Sequence, residues 1–130
     1  MTAIKLLLVD DNAVFARTAI RIIQDTFPSS PQLRVLPAAS SGEEALERVS
    51  FDKPDLVLMD LKMPGINGIE ATRRIKASEV PPKVILISLC EIEELQRAAE
   101  IAGADGYLTK ATLLEQLPAM IRTVLDRDPL

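Results

Sequence analysis

A chain of 130 residues, 48% apolar and 26% charged, has the size and mix of one globular domain, which excludes a disordered or fibrous chain. Fifteen basic against 19 acidic residues leave a net charge of -4 with no Lys or Arg block, a balance that weighs against direct nucleic-acid binding by this domain. Cys90 is the one cysteine and histidine is absent, so an internal disulfide, His metal sites, Ser-His-Asp catalysis and Cys-His catalysis all drop out.

In chain order, Met1 to Lys5 leads into four continuous apolar residues, 6–9, before Asp10-Asp11. That is neither a signal peptide nor a membrane span, and the expected location is the cytoplasm. Ile4–Val9 reads as a first strand, and Phe15, Ala19, Ile22 and Ile23 carry helical spacing after it. Pro28-Ser29-Ser30-Pro31 forms a loop before a second strand over 33–38, and Ala45, Leu46 and Val49 mark a second helix. A third strand follows at 56–59, then a helix carrying Ile69, Thr72, Ile75 and Lys76. Pro81-Pro82 reads as the loop before a fourth strand at 84–88. The fourth helix is the clearest. Ile92, Leu95, Ala98, Ala99 and Ala102 line one face, Glu93, Glu94, Arg97 and Glu100 fall mostly on the other, and Gly103 supplies a stop. After a short strand at 106–108, a fifth helix spans about Leu113–Leu125, with Thr112 and Glu115 as a capping-box signature. Pro118 lies past its first turn and is expected to kink the helix or delay its start.

Strand and helix alternating throughout imply right-handed βαβ units and a parallel sheet covered on both faces. The continuous apolar runs Leu6-Leu7-Leu8-Val9 and Val84-Ile85-Leu86-Ile87 agree, because strands buried on both faces need no alternation. The expectation is a single α/β domain over 1–130, a three-layer sandwich with strand order 2-1-3-4-5.

In such a sheet ligands bind beyond the carboxyl ends of the strands. Asp10-Asp11 follow the first strand, Asp60 the third and Thr109-Lys110 the fifth, and Ser88 ends the fourth. Singly, each has a plainer role: Asp10-Asp11 as turn and helix cap, Asp60 as turn initiator, Ser88 as cap, Lys110 as a solvated lysine. Their meeting at one edge shifts the balance, as does the rigid Met63-Pro64-Gly65 loop after Asp60. Three adjacent carboxylates repel and should raise at least one pKa unless a cation joins them. Magnesium takes one or two carboxylates and leaves room for water and a phosphoryl oxygen. A remaining aspartate can attack phosphorus, with Lys110 and the Ser88 hydroxyl meeting the equatorial oxygens of the transition state.

These residues resemble the receiver domain of bacterial two-component response regulators over essentially the whole chain. Leu8-Val9-Asp10-Asp11-Asn12, the stretch from Asp55 through Met59-Asp60-Leu61-Lys62-Met63-Pro64-Gly65 to Gly68, and Gly103-Ala104-Asp105-Gly106-Tyr107-Leu108-Thr109-Lys110 match its three main motifs in order and spacing. The resemblance implies a flavodoxin-like (βα)5 fold with Asp60 as phosphoacceptor. It further implies that Asp10, Asp11, Asp60 and the Lys62 backbone carbonyl hold magnesium, or manganese. Lys110 would pair with the phosphoryl group, and Ser88 and Tyr107 would fill the switch positions. The implied donor is a sensor histidine kinase or phosphotransfer protein. The implied readout is the surface of the fourth helix, fifth strand and fifth helix, acting on an effector or a fused output domain, with homodimerisation on phosphorylation and a role in transcription regulation. Such a domain is a phosphoacceptor rather than an enzyme, able to take phosphate from small donors and to lose it again.

Some positions depart from the common pattern. Leu89 follows the switch serine where the family usually has a small residue, and its bulk is expected to narrow access and slow exchange with phosphodonors or phosphatases. Ala111 replaces the frequent proline after the lysine, which removes the reason for a cis bond there. Cys90 reads as incidental, having no resolving cysteine. Three other readings rank lower. A degenerate receiver would work only as an interaction module, against which stand intact Asp10, Asp11, Asp60, Ser88 and Lys110. An aspartyl-phosphate phosphohydrolase of the haloacid-dehalogenase type needs a second acid where Lys62 stands. A flavodoxin-like binder would need a Gly- or Ser/Thr-rich phosphate loop after the first strand. Gly103-Ala104-Asp105-Gly106-Tyr107-Leu108 resembles receivers fused to helix-turn-helix domains, which favours the N-terminal part of a longer regulator over a stand-alone receiver.

Overall fold

The computed structural model describes residues 3–27 and 32–126. Five strands and five helices alternate: β1 Ile4–Val9, α1 Ala13–Thr26, β2 Leu33–Val35, α2 Gly42–Asp52, β3 Leu56–Asp60, α3 Gly68–Lys76, β4 Lys83–Ser88, α4 Ile92–Ala102, β5 Gly106–Thr109 and α5 Leu113–Leu125. All pairings are parallel, as the alternation implied, and the order is the expected β2-β1-β3-β4-β5. Leu6 to Val9 pair with Leu56 to Met59, which brings the ends of β1 and β3 side by side.

The apolar runs are buried because successive side chains enter two different cores. Leu7, Val9, Val57, Met59, Val84 and Leu86 face α2, α3 and α4. Leu6, Leu8, Leu56, Leu58, Ile85 and Ile87 face α1 and α5. Helix ends follow local chemistry. Asn12, Ser41 and Asn67 accept hydrogen bonds from Phe15, Glu44 and Glu70 backbone N–H groups at the starts of α1, α2 and α3. Gly103 ends α4 at φ 74, a conformation that favours glycine.

Several expectations are corrected, among them the start of the fourth strand, which is Lys83 rather than Val84. β2 ends at Val35 rather than 38: the Leu36 N–H still donates to the Leu6 carbonyl, but the next bond to β1 runs from the Ala39 N–H to the Leu8 carbonyl, one residue later than an unbroken ladder requires, so contact resumes only as a Val9–Ala39 bridge. The third and fifth strands each run one residue further, so Asp60 and Thr109 belong to strands. Thr112 makes no capping bond to α5: its backbone is not extended (φ -109, ψ 4), and its hydroxyl lies 2.8 Å from that of Thr109. Pro118 neither delays nor divides α5, which begins at Leu113 and continues through it. No cis peptide bond occurs among the described residues, the Lys110–Ala111 bond included. The expected loop at 28–31 lies outside the described residues.

An ionic knot fastens the opposite end of the sheet. Asp105, between α4 and β5, accepts hydrogen bonds from the Lys76 ammonium at 2.7 Å and the Val84 backbone N–H at 2.8 Å; Lys76 also donates to the Pro82 carbonyl at 3.1 Å. This holds the α3–β4 and α4–β5 connections in one register.

Candidate functional site

Strand ends build the site. Asp10 is the first residue past β1 and is buried, and both its carboxylate oxygens are used. Oδ1 accepts the Asn12 backbone N–H at 2.9 Å, and Oδ2 accepts the Lys110 ammonium at 2.7 Å. Asp11 is exposed at the rim. Asp60 closes β3, and its carbonyl end is pinned from two sides. The Leu61 N–H donates to the Ile87 carbonyl at 3.0 Å, and the Gly68 N–H donates to the Leu61 carbonyl at 3.0 Å. A Cβ on Gly68 would fall against the Asp60 carbonyl oxygen, so only glycine lets α3 start this close to β3.

Lys110 reaches the carboxylates because β5 is paired with β4. Ser88 lies opposite Thr109, and the Lys110 backbone N–H donates to the Ser88 carbonyl at 2.9 Å. The Lys110 ammonium then lies 3.3 Å from Asp60 Oδ1, with its side chain 9% exposed. The Ser88 hydroxyl is buried and accepts the Cys90 backbone N–H at 3.2 Å. Asp10, Asp11, Asp60, Lys62, Ser88 and Lys110 line a single cavity of about 420 Å³, with Leu89 at its border. Tyr107 is not among its lining residues; it is half-buried against the core under α4. The Lys62 side chain turns outward to pair with Glu94 at 3.4 Å. A position that would have to carry the second acid of a haloacid-dehalogenase-like hydrolase thus carries a cation committed to α4.

The surroundings of Asp60 oppose its ionisation. Burial, then the charges of Asp10 and Asp11, push its carboxyl up to about 6 from 3.8 against the opposing pull of Lys110. Burial alone would lower the Lys110 ammonium, but the hydrogen bond to Asp10 and the charges of Asp60 and Asp10 raise it above its ordinary value. One carboxylate oxygen from each of Asp10, Asp11 and Asp60 lies within 4.8 Å of the others. An all-oxygen, strongly negative, partly buried set of this kind suits a hard divalent cation, and the raised Asp60 carboxyl marks the charge such an ion would offset.

One site feature escaped the sequence reading. The Lys110 ammonium sits 4.2 Å from the centroid of the Phe15 ring. The only available signal was an aromatic residue three positions after a helix cap, which helical periodicity assigns to the core.

The response regulator receiver domain model matches residues 6–122. Response regulator GacA of Pseudomonas syringae is 40% identical over 121 residues, covering 93% of this chain and 55% of that protein. Response regulator UvrY of Escherichia coli is 36% identical over 121 residues, covering 93% and 54%. This chain therefore spans about half the length of the curated relatives it matches. The crystal structure of the response regulator domain of Thermotoga maritima CheB superposes with a TM-score of 0.78 at 33% identity, covering 98% of this chain and 99% of that one. Among the described residues no helix is long and apolar enough to cross a membrane. With the sheet order, the acidic cluster and the sequence match in agreement, the chain belongs to the family of response regulator receiver domains.

Proposed function

We propose that this chain accepts a phosphoryl group on Asp60 from the phosphohistidine of a sensor histidine kinase or phosphotransfer protein. The observation that carries the proposal is Asp60 itself, buried at the end of β3 beside two further aspartates, with the Lys110 ammonium 3.3 Å away and bonded to Asp10 as well. In the transfer an Asp60 carboxylate oxygen forms a bond to phosphorus as the P–N bond breaks. The electron pair of that bond returns to the imidazole, which keeps its other ring proton and leaves neutral. Lys110 and the Ser88 hydroxyl meet the transferred oxygens, where fixed donors act on the charge of the transition state. Magnesium, or manganese, held by Asp10, Asp11, Asp60 and the Lys62 carbonyl, would supply positive charge to the same oxygens.

Once formed, the aspartyl phosphate brings added charge and acceptor oxygens. Ser88 turns toward them and Tyr107 takes the space vacated, shifting the α4, β5 and α5 surface between two arrangements. That surface acts on an effector or on a fused output domain, and supports a homodimer in the phosphorylated state. That the match covers only 55% of GacA and 54% of UvrY supports the fused form and a role in transcription regulation. The domain works in the cytoplasm as a phosphoacceptor, with loss of the phosphoryl group as part of its cycle.

Intact mass after incubation with acetyl phosphate and magnesium tests this. The expected result is a gain of one phosphoryl group that requires the metal and is absent in Asp60→Asn. Where no adduct survives, beryllofluoride separates the cases: its binding means rapid turnover, and its failure to bind overturns the proposal in favour of a degenerate interaction module.

A further inference from the structure

The Lys110 ammonium has a third partner besides Asp10 and Asp60. The Phe15 ring, half-buried in the first turn of α1, lies with its centroid 4.2 Å from Nζ. At that distance the ring quadrupole attracts the cation, and more strongly where the ammonium is largely removed from water, as it is here at 9% exposure. A lysine needs such placement because its charge rides on four rotatable methylenes.

The ring is not placed by chance packing. Asp10 Oδ1 accepts the Asn12 N–H at 2.9 Å, fixing the entry to α1; Asn12 Oδ1 accepts the Phe15 N–H at 3.0 Å, fixing the first turn. Phe15 then faces Lys110, and Lys110 returns to Asp10 Oδ2 at 2.7 Å. Asp10, Asn12, Phe15 and Lys110 thus form a closed circuit of contacts that begins and ends on one carboxylate. We propose that Phe15 is a positioning residue of the phosphorylation site: its ring holds the Lys110 ammonium where it meets the phosphoryl group on Asp60. This rests on the proposed acceptance of phosphate by Asp60, and adds the group that sets where Lys110 stands.

The ring combines two properties that no aliphatic or polar side chain of equal bulk combines. It attracts the ammonium through its face, and it does so without an acceptor atom that would compete with the phosphoryl oxygens for the lysine protons. An acidic residue at this position would compete with Asp60 for Lys110; a leucine would leave the ammonium held by Asp10 and Asp60 alone.

Phosphorylation by acetyl phosphate with magnesium is compared in wild type, Phe15→Leu and Phe15→Tyr, with thermal stability and the Lys110 Hε chemical shift measured on each protein. Phe15→Leu is expected to slow phosphorylation about three- to tenfold, the size of a partly desolvated cation–π contact when tenfold is taken as about 1.4 kcal/mol. It should also abolish the upfield ring-current shift of Lys110 Hε. Phe15→Tyr keeps the ring and is expected to stay within about twofold of wild type with the upfield shift retained. Phe15→Met, unbranched and without a ring, replaces the leucine variant if that protein does not fold, and carries the same expectation. Wild-type rates in the ringless variant overturn the assignment, as does equal slowing in Phe15→Tyr, which would mark a packing role. A wild type that takes up neither a phosphoryl group nor beryllofluoride overturns the Asp60 reading and this one with it, so the two failures are told apart.

Discussion

The Lys110 ammonium donates a 2.7 Å hydrogen bond to Asp10 Oδ2, joining side chains 100 positions apart with 9% and 1% of their surface exposed. The strand order makes this contact possible, since β1 lies between β2 and β3 while β5 is on the far side of β4. Lys110 has to reach across β4 and β3 to arrive there. Replacing it by alanine leaves Asp10 and Asp60 buried without a cation, and a charge left unpaired in this way is strongly destabilising. Lys110→Ala is expected to lose about 3 kcal/mol in urea unfolding near neutral pH with a chelator present, and to recover part of the loss when magnesium is added. An unchanged midpoint would show that water already satisfies both carboxylates.

Asp60 makes stability depend on pH in an unusual direction for a carboxylate. Its folded-state value of about 6 lies above the ordinary 3.8, so between those values the folded protein holds more proton than the unfolded chain. Stability is therefore greatest below the lower value and falls as pH rises through the upper one. The full difference corresponds to about 3 kcal/mol. Asparagine is neutral at every pH, so without divalent ions Asp60→Asn should unfold at a higher temperature than wild type by the equivalent of about 1–3 kcal/mol above roughly pH 7. The two curves should converge toward about pH 4, and parallel curves would sink the account.

Most of this site could be seen in the sequence because its residues sit at strand ends, and the strands announced themselves as uninterrupted apolar runs. Asp10, Asp11, Asp60, Ser88 and Lys110 share one cavity for that reason. Less legible were features decided by a single local competitor. β2 stops at Val35 because one extra residue separates the Leu36 and Ala39 hydrogen bonds to β1. The Thr109 hydroxyl, 2.8 Å away, takes the Thr112 side chain that a capping box would have used. Non-local pairs were invisible for a different reason. Phe15 over Lys110, and Asp105 between Lys76 and the Val84 N–H, depend on the packing of elements whose spacing periodicity does not reveal.

Gly68 ties the geometry of the site to the start of α3. A methyl group there would press on the Asp60 carbonyl oxygen and stand 2.9 Å from Leu61 Cα, and neither backbone atom can step aside without moving Asp60. Gly68→Ala is expected to destabilise the domain by about 2 kcal/mol, the usual scale of overpacking, despite alanine's better helix propensity. Because the displaced atom belongs to the proposed phosphoacceptor, phosphorylation should slow about tenfold or more. Calorimetry and acetyl phosphate labelling on the same sample check both; loss of stability without loss of rate would separate the two roles.

Leu89 stands at the border of the cavity with 83% of its surface exposed. Burying nothing, it contributes little to stability, and Leu89→Ala should change unfolding free energy by less than about 0.5 kcal/mol. Its bulk beside Ser88 is expected instead to narrow the approach to Asp60. Removal is expected to raise both phosphorylation by acetyl phosphate and loss of the phosphoryl group by a factor of roughly two to three, below the tenfold that about 1.4 kcal/mol would give. Both rates unchanged from wild type in Leu89→Ala would dismiss steric control by this side chain.

Pro118 occupies the sixth position of α5, where a residue with an N–H would donate to the Leu114 carbonyl. Leu113, Leu117 and Ile121 are buried along the helix and hold it against the sheet, which explains why it survives the missing bond. Tertiary packing here outweighs a local penalty of up to about 3 kcal/mol. Pro118→Ala should therefore stabilise the domain by about 1–3 kcal/mol, seen as a higher urea midpoint with an unchanged m-value. Phosphorylation at the opposite end of β5 should keep its rate. Because α5 belongs to the proposed output face, the same variant also tests whether the helix must yield there: tighter α5 with weaker phosphorylation-dependent dimerisation would make Pro118 part of the switch, whereas unchanged dimerisation leaves it a local defect that packing absorbs.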